Sequence, residues 1–183
     1  PDNNIIMDLT SRCNLGCAMC YFSATDQLRF KPYDVEPDER GAMSLETFAA
    51  VAGELFPRAR RVALACAAEP LMHPRFADAL AVAARHRVPD LWFPTNLLLL
   101  TTRTAEAIVE AGVRTVAVSV DGTDGETYER IRRGGRSHVR LAVPAQGEDH
   151  PRQQVPTEAV QEVGLVLFRI EPPPQPRAAV PDL

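Results

Sequence analysis

Four times between residues 4 and 135 the sequence sets a short apolar run ahead of a segment with helical periodicity. That alternation narrows the fold more than any other feature. The runs are "NIIMDL" (4–9), "RVALAC" (61–66), "DLWFPTN" (90–96) and "VRTVAVSV" (113–120). The helical segments are "SLETFAAVAGELF" (44–56), "RFADALAVAARHR" (75–87), "RTAEAIVEAG" (103–112) and "GETYERIRRGG" (125–135). Ser44 is placed to cap the first helix, ahead of Leu45, Phe48, Val51, Ala52 and Leu55 at helical spacing, and Pro57 closes it. The second helix is expected to bury Phe76, Ala79, Leu80 and Ala83. Gly112 ends the third, and the paired glycines 134 and 135 stop the fourth. Strands that are apolar on both faces belong to a parallel sheet covered by helices, with right-handed crossovers.

In such a sheet the C-terminal strand ends converge on the functional site. The segments falling there are "TSRCNLGCAMC" (10–20), "AAEP" (67–70), "TN" (95–96) and "SVDG" (119–122). Three of the chain's four cysteines, Cys13, Cys17 and Cys20, lie in the first of these. Three thiolates can fill three corners of an iron–sulfur cube and leave the fourth iron open to substrate or cofactor. A structural zinc would need a fourth ligand, with Cys66 or His73 available only from distant sequence. A thioredoxin-like reading of "CAMC" leaves Cys13 without a role. Cys66, at the end of an apolar run, reads as a buried, inert thiol.

Composition excludes several classes. A chain of 183 residues with 45% hydrophobic and 24% charged residues is an ordinary globular domain. Its net charge of −4 offers no footprint for nucleic acid, and no apolar run is long enough to span a membrane. The expectation is a cytoplasmic protein. The first residue is Pro1, which suits either processing or a fragment of a longer protein.

Residues 23–42 are polar and read as a long loop. Beyond Gly135 the pattern changes: residues 138–183 carry half of the 16 prolines, and no strand–helix repeat is seen apart from a strand-like run at 162–170. Residues 1–137 are therefore read as the core. Residues 138–183 are read as a Pro-rich, divergent tail, irregular or disordered, or out of frame.

"CNLGCAMC" has the C-x3-C-x2-C spacing of radical S-adenosylmethionine (radical SAM) enzymes, following the first strand as it does in that family. "ACAAEPLMHP" resembles the family's Gly-Gly-Glu-Pro segment after the second strand. "VSVDGTDGETYERIRRGG" is similar to its fourth strand and following helix, most of all in the peptide- and protein-modifying maturases. The resemblance covers residues 3–135. It implies a partial (β/α) barrel, of which about four βα units are recognisable. It also implies a [4Fe–4S] cluster, and S-adenosylmethionine cleaved reductively to a 5′-deoxyadenosyl radical that takes hydrogen from substrate. A reductant such as flavodoxin or ferredoxin would serve it, and the substrate, a peptide, protein or small molecule, is not written in these residues. The alternative is a non-catalytic iron–sulfur or zinc-binding module, truncated or degenerate.

Residue by residue, the resemblance makes Cys13, Cys17 and Cys20 the cluster ligands and sets Met19 against the adenine. Ala67, Ala68 and Glu69 would meet the methionine moiety, with the Glu69 carboxylate receiving its ammonium. Asn96, Ser119 and Asp121 would make polar contacts at the strand ends, and Arg132 or Arg133 would pair with the methionine carboxylate. Read without the resemblance, Asn96 and Ser119 serve equally as helix caps, Asp121 as a turn residue and "ERIRR" as a solvated helix face. His73 and His86 read as surface or capping groups, and Met43 and Trp92 as packing. The chain departs from the family in four ways. Ala67 and Ala68 replace two glycines, Leu97 replaces the glycine of Thr-Asn-Gly, the fifth and sixth barrel strands are not recognisable, and no cysteine follows Cys66.

Overall fold

The computed structural model describes residues 3–20, 41–122 and 124–135, together with the backbone of a strand at 165–169. Four strands, β1 (Asn4–Ile6), β2 (Arg61–Ala63), β3 (Asp90–Thr95) and β4 (Thr115–Ser119), pair in parallel in chain order. Between them run α1 (Leu45–Leu55), α2 (Phe76–Ala84) and α3 (Thr102–Glu110), and α4 (Gly125–Ile131) follows β4. This is the expected α/β arrangement of a partial (β/α) barrel. A fifth strand, β5 (Leu165–Arg169), pairs antiparallel with β4. It falls within the strand-like run at 162–170, so part of the Pro-rich segment joins the sheet, against the direction of the other four strands. The expected loop at 23–42, apart from residues 41 and 42, and the rest of the 138–183 segment lie outside the described residues.

Helix boundaries follow local chemistry. Ser44 Oγ accepts the Thr47 N–H at 3.1 Å to cap α1, and Thr101 and Asp124 do the same for α3 and α4. Pro57 falls in a short 3₁₀ turn directly after α1, and Gly112, at φ 68°, follows the end of α3. α2 buries Phe76, Ala79, Leu80 and Ala83, the four expected residues. The helices and strands are mostly shorter than their sequence patterns, because apolar character continues into buried loop residues such as Leu9, Leu64 and Ala65. Leu55 proves 44% exposed, and the buried stripe of α1 runs instead through Phe48 and Ala52 to Phe56.

The core lies between the sheet and the helices. Val62, Leu91, Phe93, Val116 and Val118 project from the strands onto Phe48, Phe56, Phe76, Leu80 and Ile108 from the helical side. Phe76 and Phe93 meet edge to face at 5.1 Å. On the other face of the sheet the Arg61 guanidinium stacks over Trp92, 4.7 Å from the ring centre, while pairing with Asp90 at 3.0 Å. Pro94 is tolerated in β3 because its missing N–H faces β2, and the β2–β3 ladder already ends at the Ala63–Trp92 pair.

Candidate active site

β1 stops at Ile6 and the chain passes through Leu9 and Thr10, both buried, into the cysteine loop. Backbone bonds fix that loop from two sides. The Gly16 and Ala18 N–H groups donate to the Arg133 and Ile131 carbonyls at the end of α4, at 2.9 and 2.8 Å. The Arg12 carbonyl accepts the Glu69 N–H at 3.1 Å, docking the loop after β2 onto the residue before Cys13. Unsatisfied carbonyls at a helix terminus are natural acceptors for such a loop.

The C-terminal ends of all four parallel strands open on one cavity of about 200 Å³. Its walls include Cys13, Cys17, Cys20, Met19, Ala67, Ala68, Glu69, Asn96, Ser119 and Arg132. Ten of the twelve expected site residues thus share one space. Two do not line it. Arg133 is exposed and contributes only its carbonyl to the cysteine loop. Asp121 stands behind Arg132, its Oδ2 accepting from both Nε and Nη2 of that guanidinium at 2.5 Å. Of the two arginines between which the sequence does not choose, Arg132 lines the cavity and Arg133 does not.

Glu69 is the most enclosed of the polar groups, 2% exposed. Its Oε1 accepts from Thr95 Oγ1 at 2.6 Å and from the Leu71 N–H at 3.1 Å, and its Oε2 accepts the Asn96 N–H at 2.7 Å. Burial raises its pKa above the ordinary value, and the three donors and the Arg132 charge pull the other way. A carboxylate has about four acceptor positions, so one remains for a further donor. Burial likewise raises the Cys13 and Cys17 thiols, with the Arg132 guanidinium opposing it at Cys17.

Asn96 is not a helix cap, since Thr101 caps α3; its amide nitrogen donates to Asn14 Oδ1 at 2.8 Å and its Oδ1 accepts the Leu98 N–H at 3.0 Å. Ser119 is not the cap of α4, which is Asp124. His73 is a buried capping residue: Nδ1 accepts the Arg75 N–H ahead of α2, and Nε2 lies 2.8 Å from the Met43 carbonyl. His86 is half-buried, edge-on to Phe56. Ala67 and Ala68 keep negative φ, so the replaced glycines are not needed for the backbone here. The strain falls instead at Leu97, whose φ of 65° explains why glycine suits that position.

One expectation is corrected. Cys66 is exposed rather than buried, and it lines the same cavity. β2 ends at Ala63, and Asp8 Oδ1 captures the Cys66 and Ala67 N–H groups at 2.7 and 3.0 Å, turning the chain out of the sheet. Asp8, Asn14 and Thr95, which hold the site's loops, are not among the site residues that the sequence singles out. A carboxylate at the end of β1 and an amide inside the cysteine motif were the available signals.

The donor set suits an iron–sulfur cluster. Three soft thiolate donors from one short loop line an open cavity. Among the described residues no three His, Cys, Asp or Glu side chains gather closely enough to hold a single metal ion. Each thiolate of a cluster binds a different iron, so such spacing is compatible with that group. No helix among the described residues is long and apolar enough to cross a membrane.

A tungsten-containing aldehyde ferredoxin oxidoreductase cofactor-modifying protein of Pyrococcus furiosus is 31% identical over 119 residues, 64% of this chain and 30% of its own length. A GTP 3′,8-cyclase of Microcystis aeruginosa is 29% identical over 126 residues, 68% of this chain and 36% of its own. The chain thus spans about a third of the length of these curated relatives. Among solved structures, Streptococcus suis SuiB bound to S-adenosylmethionine superposes with a TM-score of 0.58 at 14% identity, covering 72% of this chain and 28% of SuiB. BtrN in complex with AdoMet and 2-DOIA gives 0.52 at 18% identity, over 63% of this chain and 44% of BtrN. The sequence profile of the radical SAM superfamily, whose cofactors are a [4Fe–4S] cluster and S-adenosylmethionine, matches residues 7–144. With well over half its length matched, the chain belongs to the radical SAM superfamily.

Proposed function

We propose that residues 1–137 form the cofactor-holding core of a radical SAM enzyme, with Cys13, Cys17 and Cys20 as the cluster ligands. The observation that carries the reading is that these three thiols share one cavity with Glu69, Asn96, Ser119 and Arg132. When bound, the reduced cluster and S-adenosylmethionine supply a 5′-deoxyadenosyl radical for hydrogen abstraction from substrate.

The chain's own residues bind and orient. The Glu69 carboxylate, with one acceptor position left, receives the methionine ammonium. Arg132 spends two donors on Asp121 and keeps the rest of its fork for the methionine carboxylate. Asp121 is then a positioning residue that aims the guanidinium. Met19, 55% exposed at the cavity wall, offers an apolar surface to the adenine. Ser119 supplies a hydroxyl, and the Asn96 side chain, already engaged with Asn14 and Leu98, holds the cysteine loop. A flavodoxin- or ferredoxin-like protein is the expected electron donor, and a peptide or small molecule the substrate. A non-catalytic zinc module is the weaker reading, because zinc would leave the enclosed Glu69 and the Arg132–Asp121 pair without a task.

The test is anaerobic reconstitution with iron and sulfide, followed by dithionite and S-adenosylmethionine, with 5′-deoxyadenosine measured for wild type and Cys17→Ala. Product lost in the variant is the expected result. A cluster without product would confine the chain to cofactor binding, and bound zinc with no cluster would overturn the reading.

A further inference from the structure

We propose that Cys66 is a fourth, exchangeable ligand of this site, its thiolate closing the iron that Cys13, Cys17 and Cys20 leave open until S-adenosylmethionine takes that position. The inference rests on the cluster reading above and adds a resting state to it.

Four thiols, not three, line the cavity. Cys66 is the exposed one and is not in a disulfide. It stands on a loop held in place rather than on a loose one. Asp8 Oδ1 accepts the N–H groups of Cys66 and Ala67, at 2.7 and 3.0 Å. Two residues on from Ala67, the Glu69 N–H is bonded to the Arg12 carbonyl, next to Cys13. The loop bearing the fourth thiol is therefore pinned to the loop bearing the other three, and Ala67 and Ala68 beside it keep its backbone in ordinary conformations.

The chemistry follows from the donor set. Four thiolates are the ordinary closed complement of a [4Fe–4S] cluster. An iron with an open position, in a cavity that holds one more thiol, has in that thiol a further soft donor. On ligation the Cys66 sulfur loses its proton to solvent and forms an iron–sulfur bond; no electron moves. When the amino and carboxylate groups of S-adenosylmethionine occupy the position, that bond breaks and the thiolate takes a proton back. Cofactor binding would thus uncover a thiol, and the resting cluster would be protected from losing its open iron.

Alkylation tests this without any turnover. The full chain is reconstituted anaerobically and treated with iodoacetamide, with and without S-adenosylmethionine, and modification at Cys66 is read by mass spectrometry. Cys66 is expected to react roughly tenfold more slowly without S-adenosylmethionine than with it, since a ligated thiolate is not a free nucleophile. Cys66→Ala, which keeps the backbone N–H that Asp8 holds, is examined in parallel. Its cluster should convert on mild oxidation to the three-iron form, seen by electron paramagnetic resonance, more readily than that of wild type. Equal alkylation in both states, on protein that carries a cluster, would sink the fourth-ligand role and leave the three-cysteine site standing. Failure of wild type and Cys66→Ala alike to assemble a cluster would overturn both.

Discussion

The Asn96 side-chain amide donates to Asn14 Oδ1 at 2.8 Å, joining positions 82 residues apart. One lies just past β3 and the other between the first two cysteines. The bond sits between a buried and a half-buried residue and ties the cysteine loop to the sheet. Asn14→Ala should cost about 1 kcal/mol, and Asn96→Ala more, because it also releases the Leu98 N–H. A double-mutant cycle on denaturation midpoints should return a coupling of about 1 kcal/mol. Strict additivity would mean that the two side chains do not hold each other.

Gly122 faces the first turns of α4 so closely that a β-carbon there would lie 2.7 Å from the Tyr128 nitrogen and 3.0 Å from its Cα. These are backbone atoms, which cannot rotate away. Gly122→Ala should therefore destabilise the fold by about 2 kcal/mol through overpacking. Displacement of α4 would also move Ile131 and Arg133, whose carbonyls hold the cysteine loop. Thermal unfolding gives the first effect, and hydrogen exchange at the Gly16 and Ala18 amides gives the second. An unchanged melting temperature would contradict this packing.

Much of this was legible in the sequence, for identifiable reasons. Apolar strand runs alternating with helical periodicity leave a strong signal, although β1 is exposed at Asn4 and Ile6 and β3 fully buries only every second residue. Ser44, Pro57 and Gly112 mark their turns by local chemistry alone. The cysteine spacing singled out the candidate loop, and the strand ends that share its cavity followed from topology. What could not be read depends on contacts between distant segments. Asp8 capturing the loop after β2, Thr95 donating to Glu69 and Asn14 meeting Asn96 leave no periodic trace. The apolar run through Cys66 predicts burial, whereas the thiol is exposed on a loop whose backbone N–H is held by a carboxylate 58 residues earlier. The antiparallel direction of β5 is equally invisible, since a strand pattern carries no sense of direction.

The Tyr128 hydroxyl is buried and has no hydrogen-bond partner among the described residues. The ring presses on Gly135, where a β-carbon would meet it at 3.0 Å. An unpaired buried hydroxyl carries a desolvation cost that phenylalanine avoids at nearly the same shape. Tyr128→Phe should raise the stability of the cluster-free chain by about 1 kcal/mol. A loss on substitution, measured by the same denaturation midpoints, would reveal a partner for the hydroxyl.

Glu69 gives the fold a pH dependence whose sign is fixed by its surroundings. Burial raises its pKa above 4.5, with Thr95, Asn96, Leu71 and the Arg132 charge opposing that effect incompletely. Cys13 also feels its charge. The folded chain therefore keeps the Glu69 proton to higher pH than the unfolded chain does. Below pH 4.5 both states hold it and the contribution is whole; as pH rises through the raised value, the folded state must ionise a buried acid and the contribution is lost. Glu69→Gln removes this slope. Wild type should gain stability relative to the variant as pH is lowered from about 8 toward 4.5, and parallel profiles would contradict the raised value. Binding should run in the opposite sense. If the ionised carboxylate receives the methionine ammonium, the affinity of the loaded protein for S-adenosylmethionine should weaken over the interval in which the apo fold strengthens. Affinity that is flat across that interval, beside a sloping stability, would separate the structural role of Glu69 from the binding role proposed for it.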